Sequence, residues 1–421
     1  MSIALSENAA GSRTSNPTIT PSLLVTLALL AAAAPFAMDL YLPAFPSMVG
    51  DLSTTATGVQ LSLTAFMIGA GLGQVTFGPL SDRVGRLRPL LWGTAIYVVA
   101  SAAAALAPTV VLLVAARLVQ GFAGAAGMVI GRAVISDLAR GQAAARAFSL
   151  MMLVGGVAPV VAPVAGSLLT GVIGWRGLLW IVAGLGAVSL VASVVFIRET
   201  LPAATREHRR ATQASPGVGV LLNRRFLGNA LAFAFAFATM IAYISASPFL
   251  FQDLMGMSEV TYGLVFGLNA LVLMVTGGLS ARLAGRFHAV QLARTGLLAN
   301  LGAVVAIAAL VITGAPLMWL LAPILVAVAS LGFVLGNTTA LALDQVAGAT
   351  GLGSAALGLI QFGLAGIVAP LVSIAGTATV VPLAATMLVA SLAANLAFHL
   401  AGHRVEIAPA VRPALEPVEA D

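Results

Sequence analysis

A single acidic residue, Asp39, lies deep inside a long apolar stretch of the sequence. It falls within AAPFAMDLYLPAFP, whereas the other acidic residues lie near the ends of apolar stretches, in polar intervals or in the terminal segments. A charge at the centre of a bilayer costs ~2.5–3.5 kcal/mol on insertion scales, and such residues mark functional sites. We therefore expect Asp39 to carry a proton or to hold a polar substrate during transport.

Arg117 lies at a similar depth in the fourth apolar stretch. Asp39 is about seven residues and Arg117 about eight residues from the same predicted membrane edge, at a rise of about 1.5 Å per residue. Charges inside membranes usually face the bundle interior and pair. We predict that the two groups lie near each other, directly or through water or Gln120, with Arg117 favouring the ionised carboxylate. A purely structural ion pair between two helices is the alternative.

The composition is that of a membrane protein. Hydrophobic residues make up 60% of the 421 residues and charged residues 8%, against about 25% in soluble proteins. A transmembrane helix needs about 20 apolar residues, and the predicted spans are 22–46, 58–80, 89–107, 109–136, 145–170, 174–197, 226–251, 260–281, 289–313, 316–342, 350–376 and 379–401. Because unpaired backbone groups cannot face lipid, we predict an all-α membrane protein with twelve transmembrane helices.

The distribution of arginine along the chain predicts its orientation in the membrane. All 20 basic residues are arginine, and with a cytoplasmic N-terminus only Arg176 falls outside, while Arg117 and Arg132 lie within a helix. This is a strong positive-inside bias, so both termini are expected in the cytoplasm. The net charge of +6 therefore reflects topology and attraction to anionic lipid, and not nucleic-acid binding.

The chain divides in the middle. The longest polar interval between spans is expected to be a cytoplasmic linker between two six-helix halves. The predicted units are an N-terminal tail (1–21), a first half (22–198), the linker (199–223), a second half (224–402) and a C-terminal tail (403–421).

The two halves share a short repeat. GPLSDRVGR at 78–86 follows the second span and GGLSARLAGR at 277–286 follows the eighth, with Ala281 in the place of Asp82. In parallel repeats of this kind the substrate path runs between the halves.

The first copy of the repeat predicts a cytoplasmic gate. Gly85 permits a tight reversal after Asp82, and either Arg83 or Arg86 is expected to pair with Asp137 at the end of the fourth span. Such a contact differs between conformational states and can hold one of them.

Prolines shape the first span beside the carboxylate. Pro43 lies four residues after Asp39 and removes the helical hydrogen bond to its carbonyl, so we expect a kink there. Tyr41 offers a hydroxyl or a ring face to substrate, or anchors the helix at the interface.

The fifth span carries a second proline pattern in GGVAPVVAPVAG. Pro159 and Pro163 free backbone carbonyls, whereas Gly156 and Gly166 allow helices to approach closely. A seal against leakage and a kinked packing helix are both compatible with this pattern.

The second half has no acidic residue inside its predicted spans. Neutral polar residues that are candidates to line a cavity for an uncharged, apolar ligand are Tyr243, Asn269, Asn337 and Gln361. Helix packing explains any one of them equally well.

Several motifs together resemble the major facilitator superfamily. GPLSDRVGR resembles the family's loop signature, RLVQGFAGAAG (117–127) its fourth-span motif, and GGVAPVVAPVAG (155–166) the antiporter motif of twelve-span drug:proton exporters. MDLYLPAFPSM (38–48) is similar to the bicyclomycin/chloramphenicol-resistance (Bcr/CflA) branch, which includes phenicol exporters.

The resemblance implies the major facilitator fold and proton-coupled export of small amphiphilic antibiotics across a bacterial inner membrane. Phenicols such as chloramphenicol and florfenicol are the first choice of substrate. It implies no cofactor besides the proton gradient, and substrate, protons and lipid as the partners of a monomer. Export of an endogenous metabolite and symport of a polar nutrient remain alternatives.

Enzyme chemistry has little support in the sequence. Without lysine there is neither a Walker A motif nor a Schiff-base lysine, and the four histidines form no H-E-x-x-H pattern. Without cysteine there is no disulfide and no thiolate metal site. A membrane enzyme is the remaining candidate from another class.

Overall fold

The computed structural model describes residues 20–139, 141–202, 218–346, 349–374, 376 and 379–402. The predicted N-terminal tail except for its last two residues, the central part of the predicted linker (203–217) and the predicted C-terminal tail lie outside the described residues. The regular elements of the described part are all helical, which confirms the predicted all-α class.

The helices of the described part are numbered in chain order. They are α1 (Pro21–Asp39), α2 (Phe45–Asp51), α3 (Ala56–Val84), α4 (Leu87–Ala105), α5 (Val110–Leu138), α6 (Gly141–Phe196), α7 (Arg224–Pro248), α8 (Glu259–Leu283), α9 (Ala289–Ile312), α10 (Leu321–Asp344), α11 (Thr350–Leu371) and α12 (Val381–Leu400). Short 3₁₀ segments occur at Leu42–Ala44, Val218–Leu222 and Leu317–Leu320, and a π-helical turn at Phe249–Leu254.

Eleven helical stretches of the described chain are long and apolar enough to cross a membrane. One of them, α6, has 56 residues, far more than one crossing requires. It is sharply kinked at Gly174, whose φ of 62° and ψ of 179° are not helical. Its two arms, 141–173 and 175–196, correspond to the predicted fifth and sixth spans, so the twelve predicted spans are all present.

Hydroxyl side chains mark the start of several helices. Thr20, Thr55, Thr109 and Ser258 accept hydrogen bonds from backbone N–H groups in the first turn of α1, α3, α5 and α8, at 3.3, 3.1, 3.4 and 3.2 Å. These bonds satisfy donors that have no partner within the helix. Polar caps therefore set where the apolar helices begin.

The first span breaks beside its carboxylate. α1 ends at Asp39, a 3₁₀ turn follows at Leu42–Ala44, and α2 begins at Phe45. Pro43 cannot donate the hydrogen bond that would continue the helix. The predicted kink is thus a complete interruption, and Asp39 is the last helical residue before it.

The helices form two halves, α1–α6 and α7–α12. The halves meet along two pairs of helices, α3 with α11 and α6 with α8. Glycines permit the approach: a β-carbon at Gly263 would overlap Ser167, and one at Gly366 would press on Ile68. Small residues at helix interfaces are typical of membrane bundles.

Within the first half, α3 and α5 cross at very short range. A β-carbon at Gly121 would overlap the backbone carbonyl of Phe66. Backbone atoms cannot move aside as a flexible side chain does, so this crossing requires glycine.

We expect Gly121→Ala to lower the free energy of unfolding by about 1–3 kcal/mol, because the added methyl group overpacks the crossing. The measurement is the thermal unfolding midpoint of purified protein in one detergent. Gly302→Ala is the matched control, since nothing lies within 4 Å of that position in α9, and alanine is favoured over glycine in helices by roughly 0.5–1 kcal/mol. Equal midpoints for Gly121→Ala and wild type would contradict the close crossing.

Candidate functional site

A central cavity of about 670 Å³ lies between the two halves. We call the face at which α1 begins the N-terminal face, and the other the opposite face. The lining comes from α1, α5, α6, α8 and α10 and consists of Ala31, Pro35, Met128, Arg132, Met151, Met152, Gly155, Gly156, Leu273, Gly277, Ser280, Ala281, Leu331, Gly332, Leu335, Gly336 and Asn337. Many of these residues lie in the parts of their helices nearest the N-terminal face.

Cross-half hydrogen bonds close the opposite face. The amide of Gln60 donates to the carbonyl of Ser245 at 2.9 Å and accepts from the hydroxyl of Ser373. Thr57 lies 2.9 Å from the same hydroxyl, and Gln252 donates to the carbonyl of Pro43 at 2.9 Å. The structure is therefore closed at the opposite face, with its cavity toward the N-terminal face.

Asp39 lies one helical turn beyond Pro35, the cavity residue of α1 nearest the closed face. Its side chain is buried, with 5% of its surface exposed, and it is not among the residues that line the cavity. Within the described residues it makes no hydrogen bond and no ion pair. The carboxyl group is thus enclosed without a polar partner.

Asp39 lies near polar side chains of the second half. Asp39 and Tyr243 both lie within electrostatic range of the Tyr262 hydroxyl. Tyr262 also shares a hydrogen bond of 3.2 Å with Ser247, whereas the buried hydroxyl of Tyr243 has no partner. Phe266 packs against both tyrosine rings. An aromatic cluster of the second half therefore faces the end of α1.

Arg117 is fully buried but does not bind Asp39. Its Nη2 donates to the carbonyl of Ala37 at 2.8 Å and to the hydroxyl of Tyr41 at 3.3 Å, and its Nη1 donates to Gln120. Its guanidinium also lies over the rings of Tyr41 and Phe66. The predicted contact between Asp39 and Arg117, whether direct or through Gln120, is thus not formed in this structure.

Helix geometry explains this difference. Arg117 contacts Ala37 in the last turn of α1 and Tyr41 just after the helix, whereas Asp39, midway between them, points to the other side. The rise per residue predicts that Asp39 and Arg117 lie at the same depth, but it does not predict the directions in which their side chains point. Arg117 binds the side of α1 within the first half, and Asp39 faces the second.

Gln120 and Tyr41 both belong to a buried network of the first half. Gln120 donates to Ser101 at 2.6 Å, and Tyr41 shares a hydrogen bond of 3.0 Å with Ser62. Neither residue lines the cavity. Tyr41 is fully buried, so it is not an interfacial anchor in this structure.

The glycine–proline motif of α6 packs against both α1 and α8. A β-carbon at Gly166 would overlap the carbonyl of Leu40, directly after Asp39, and one at Gly156 would touch Met274. The carbonyl of Pro163 approaches Gly263 of α8. Pro159, one turn earlier, lies inside the same helical arm. This arm therefore encloses the end of α1 that carries Asp39.

Of the two predicted arginines after α3, Arg86 pairs with Asp137. Arg86 forms ion pairs with Asp82 at 2.8 Å and Asp137 at 2.9 Å. Burial lowers the pKa of Arg86, but the hydrogen bond and charge of Asp137 and the charge of Asp82 outweigh it, and the pKa is raised. These residues all belong to the first half, so this cluster joins helices of that half. The predicted gating role concerns differences between conformational states and stays a prediction.

Glu199 completes this cluster and was not predicted. It accepts hydrogen bonds from the backbone N–H groups of Arg86 at 2.9 Å and Leu87 at 3.2 Å. A carboxylate at the first turn of α4 complements the helix dipole. Gly85, at a φ of 103°, passes so close that a β-carbon would strike this carboxylate. The signal in the sequence that could have indicated this role is the position of Glu199 directly after the sixth predicted span.

The predicted cavity residues of the second half separate into two groups. Asn337 lines the cavity, whereas Tyr243, Asn269 and Gln361 do not. Asn269 is buried and donates to the carbonyl of Val265 at 2.8 Å. Sequence alone does not show which face of a helix points inward.

Arg132 is a cavity residue whose role the sequence left open. Asp137, five residues later on the same helix, binds Arg86 and Thr200 instead of Arg132. The side chain of Arg132 lines the cavity and makes no ion pair with any described residue. A permanently charged donor group therefore faces the cavity.

Comparison with known proteins gives one consistent family. The profile of the Major Facilitator Superfamily matches residues 27–370. The "Uncharacterized MFS-type transporter YdgK" of Bacillus subtilis (strain 168) is 35% identical over 374 residues, which are 88% of this chain and 93% of that protein. The "Multidrug resistance protein MdtL" of Escherichia coli O17:K52:H18 (strain UMN026 / ExPEC) is 28% identical over 240 residues, 57% of this chain and 61% of that protein.

Solved structures show the same fold at low identity. A D-xylose-proton symporter superimposes with a TM-score of 0.70 at 14% identity, covering 88% of this chain and 96% of that one. A bacterial homologue of the human lysosomal transporter Spinster, in an inward-facing conformation, gives 0.68 at 16% identity, with 90% and 95% covered. The arrangement of helices in this chain is therefore that of both solved structures.

We predict that Thr57→Cys with Ser373→Cys forms a disulfide under mild oxidation, because the native hydroxyl oxygens are 2.9 Å apart across the closed face. The chain contains no cysteine, so the two introduced thiols react only with each other. Mass spectrometry of the oxidised protein measures the linked fraction. Ser258→Cys with Thr261→Cys is the control, since these hydroxyls are also 2.9 Å apart but within one half. Linkage of the control pair alone would show that the opposite face is open.

Proposed function

Because the chain belongs to the Major Facilitator Superfamily, we propose that it is a proton-coupled antiporter that exports small amphiphilic antibiotics. The observation that carries the proposal is the enclosed carboxyl group of Asp39, which has no polar partner and lies where α1 meets the second half. An isolated ionised carboxylate in apolar surroundings is too costly to keep, so such a group retains its proton. Asp39 is thus suited to carry a proton across the closed state.

The two faces support alternating access. The arginine distribution assigns the N-terminal face to the cytoplasm of a bacterium, with both termini there. In this state the cavity faces the cytoplasm, while Gln60, Thr57 and Ser373 close the outer face. Substrate then enters from the cytoplasm and leaves after the outer hydrogen bonds break.

Proton movement couples to the end of α1. Asp39 takes up a proton when the outer face opens, and closure then buries it beside the aromatic cluster of the second half. Arg117 retains a buried Nε without a hydrogen-bond partner at the height of Asp39. Rotation of the end of α1 brings the ionised carboxylate to this donor when the proton leaves toward the cytoplasm. The predicted pair of Asp39 and Arg117 thus belongs to the deprotonated state.

Substrate size and polarity follow from the cavity. A volume of about 670 Å³ lies within the range of 300–1,000 Å³ that holds drug-sized ligands. The lining is mostly apolar and includes Met128, Met151 and Met152, whose flexible side chains adapt to different shapes. The name of MdtL and the similarity of MDLYLPAFPSM to the Bcr/CflA branch favour antibiotics, with phenicols first. The protein acts as a monomer and needs no cofactor besides the proton gradient.

We expect Asp39→Asn to abolish transport driven by a pH gradient without destabilising the protein, because the amide cannot release a proton and no polar contact is lost. The measurement is gradient-driven chloramphenicol movement in proteoliposomes, together with the unfolding midpoint. Asp344→Asn is the control, since that acid is exposed at the end of α10. Full gradient-driven transport in Asp39→Asn would remove Asp39 from the coupling mechanism.

Cells that express the protein should survive higher concentrations of chloramphenicol and florfenicol than cells with an empty vector. A protonophore should remove this protection, since the proton gradient drives export. The readout is the minimum inhibitory concentration of a panel of antibiotics, with Asp39→Asn as the inactive control. Protection against no drug in the panel would favour an endogenous metabolite as the exported compound.

A further inference from the structure

The polar side chains that line the central cavity are the guanidinium of Arg132, the hydroxyl of Ser280 and the amide of Asn337. Arg132 is the one charged residue among the described residues that line it, and no carboxylate faces it. A guanidinium presents five N–H donors and no acceptor, and it keeps its charge at any physiological pH. The cavity therefore has a fixed positive end.

A second donor faces the cavity from the other half. The hydroxyl of Ser280 accepts a hydrogen bond of 2.8 Å from the amide of Asn337, which also donates to the carbonyl of Phe333. The hydroxyl proton of Ser280 has no acceptor among the described residues, and the side chain borders the cavity although only 4% of the residue's surface is exposed. A bound acceptor group can thus bridge α5 of the first half and α8 of the second.

The positive end lies far from the acid. Arg132 follows Arg117 by fifteen residues on α5, which is about 22 Å along the helix. Since Arg117 binds α1 at Ala37, Asp39 lies at the far, closed end, and Arg132 near the cytoplasmic mouth. At that separation Asp39 and Arg132 cannot form an ion pair.

We propose that the cavity binds small amphiphiles with an anionic carboxylate head group. Arg132 and Ser280 hold the head group, and the apolar body lies against Met128, Met151 and Met152. Arginine and a carboxylate form strong, charge-assisted hydrogen bonds. This inference rests on the proposed export function only for the direction of transport. The preference of the cavity for anionic ligands rests on its geometry alone. A lipophilic cation finds no counter-charge in this lining.

The test is a matched pair of ligands on purified protein in discs of neutral lipid. Nalidixate, a flat monocarboxylate, is compared with its uncharged ethyl ester by titration calorimetry. Wild type should bind the acid about 10- to 100-fold more tightly than the ester, as expected for charge-assisted hydrogen bonds. Equal affinities for acid and ester would overturn the proposal, whatever the variants show.

Three variants separate a binding role of Arg132 from a structural one. Arg132→Gln should lose about 10- to 100-fold in affinity for nalidixate and little for the ester. Arg132→Lys keeps the charge and should retain most of the affinity for the acid. Arg282→Gln, which removes an exposed arginine of α8 at the same face outside the cavity, should bind as wild type. An unchanged acid-to-ester ratio in Arg132→Gln contradicts the assignment.

The head group of an anionic lipid offers the same chemistry, so the titration is repeated in discs that contain phosphatidylglycerol. Unchanged nalidixate affinity supports a soluble substrate, whereas competition by the lipid assigns the site to lipid and overturns the proposal.

The export assay distinguishes the proposed carboxylate site from the proposed export function. If chloramphenicol transport depends on Asp39 but the acid and the ester bind equally, only the carboxylate-binding inference is contradicted. Acid-selective binding without any gradient-driven transport sinks only the proposed function.

Discussion

The hydrogen bond from Arg117 to the carbonyl of Ala37 is the constraint on which the rest of the site depends. The last carbonyls of a helix have no partner within it, and α1 stops at Asp39 because Pro43 cannot continue it. The guanidinium satisfies one of these carbonyls from α5 and so fixes the broken end of α1 to the first half. With that end fixed, Asp39 must face away from Arg117, toward the second half.

The two halves share a repeat but use it differently. In the first half Arg86 binds Asp82 and Asp137, and Glu199 caps the next helix, so the charges after α3 are internally satisfied. In the second half Ala281 replaces the acid, and it lines the cavity instead. Ion pairs therefore join helices of the first half near the N-terminal face, while the second half contributes an uncharged wall to the cavity.

The sequence predicts the fold well because the constraints on it are local. Span length, apolar composition and the arginine bias follow from the cost of exposing polar backbone and charge to lipid, and the interruption at Pro43 follows from a missing donor. The direction in which each side of a helix points depends on how the helices pack together. Asp39 and Arg117 match in height, yet the rotation of α1 separates them, and Tyr243 and Asn269 turn away from the cavity that Asn337 lines. Glu199 was visible as a charge, but its partners Arg86 and Leu87 come from a distant part of the chain, and the cavity that Arg132 lines is formed by five helices.

The placement of the two uncompensated charges has an energetic consequence for transport. Under the proposed function the N-terminal face is cytoplasmic, so Arg132 near that face attracts an anion from the cytoplasm and Asp39 near the opposite face takes a proton from outside. In a cell that is negative inside, an anion leaving and a proton entering both move with the membrane potential, each gaining about 2.3 kcal/mol per 100 mV. Exchange of the two therefore draws on the potential twice, whereas exchange of a proton for a monovalent cation would gain nothing from it. A cavity with a positive inner end and a protonatable outer end thus suits anion export better than cation export.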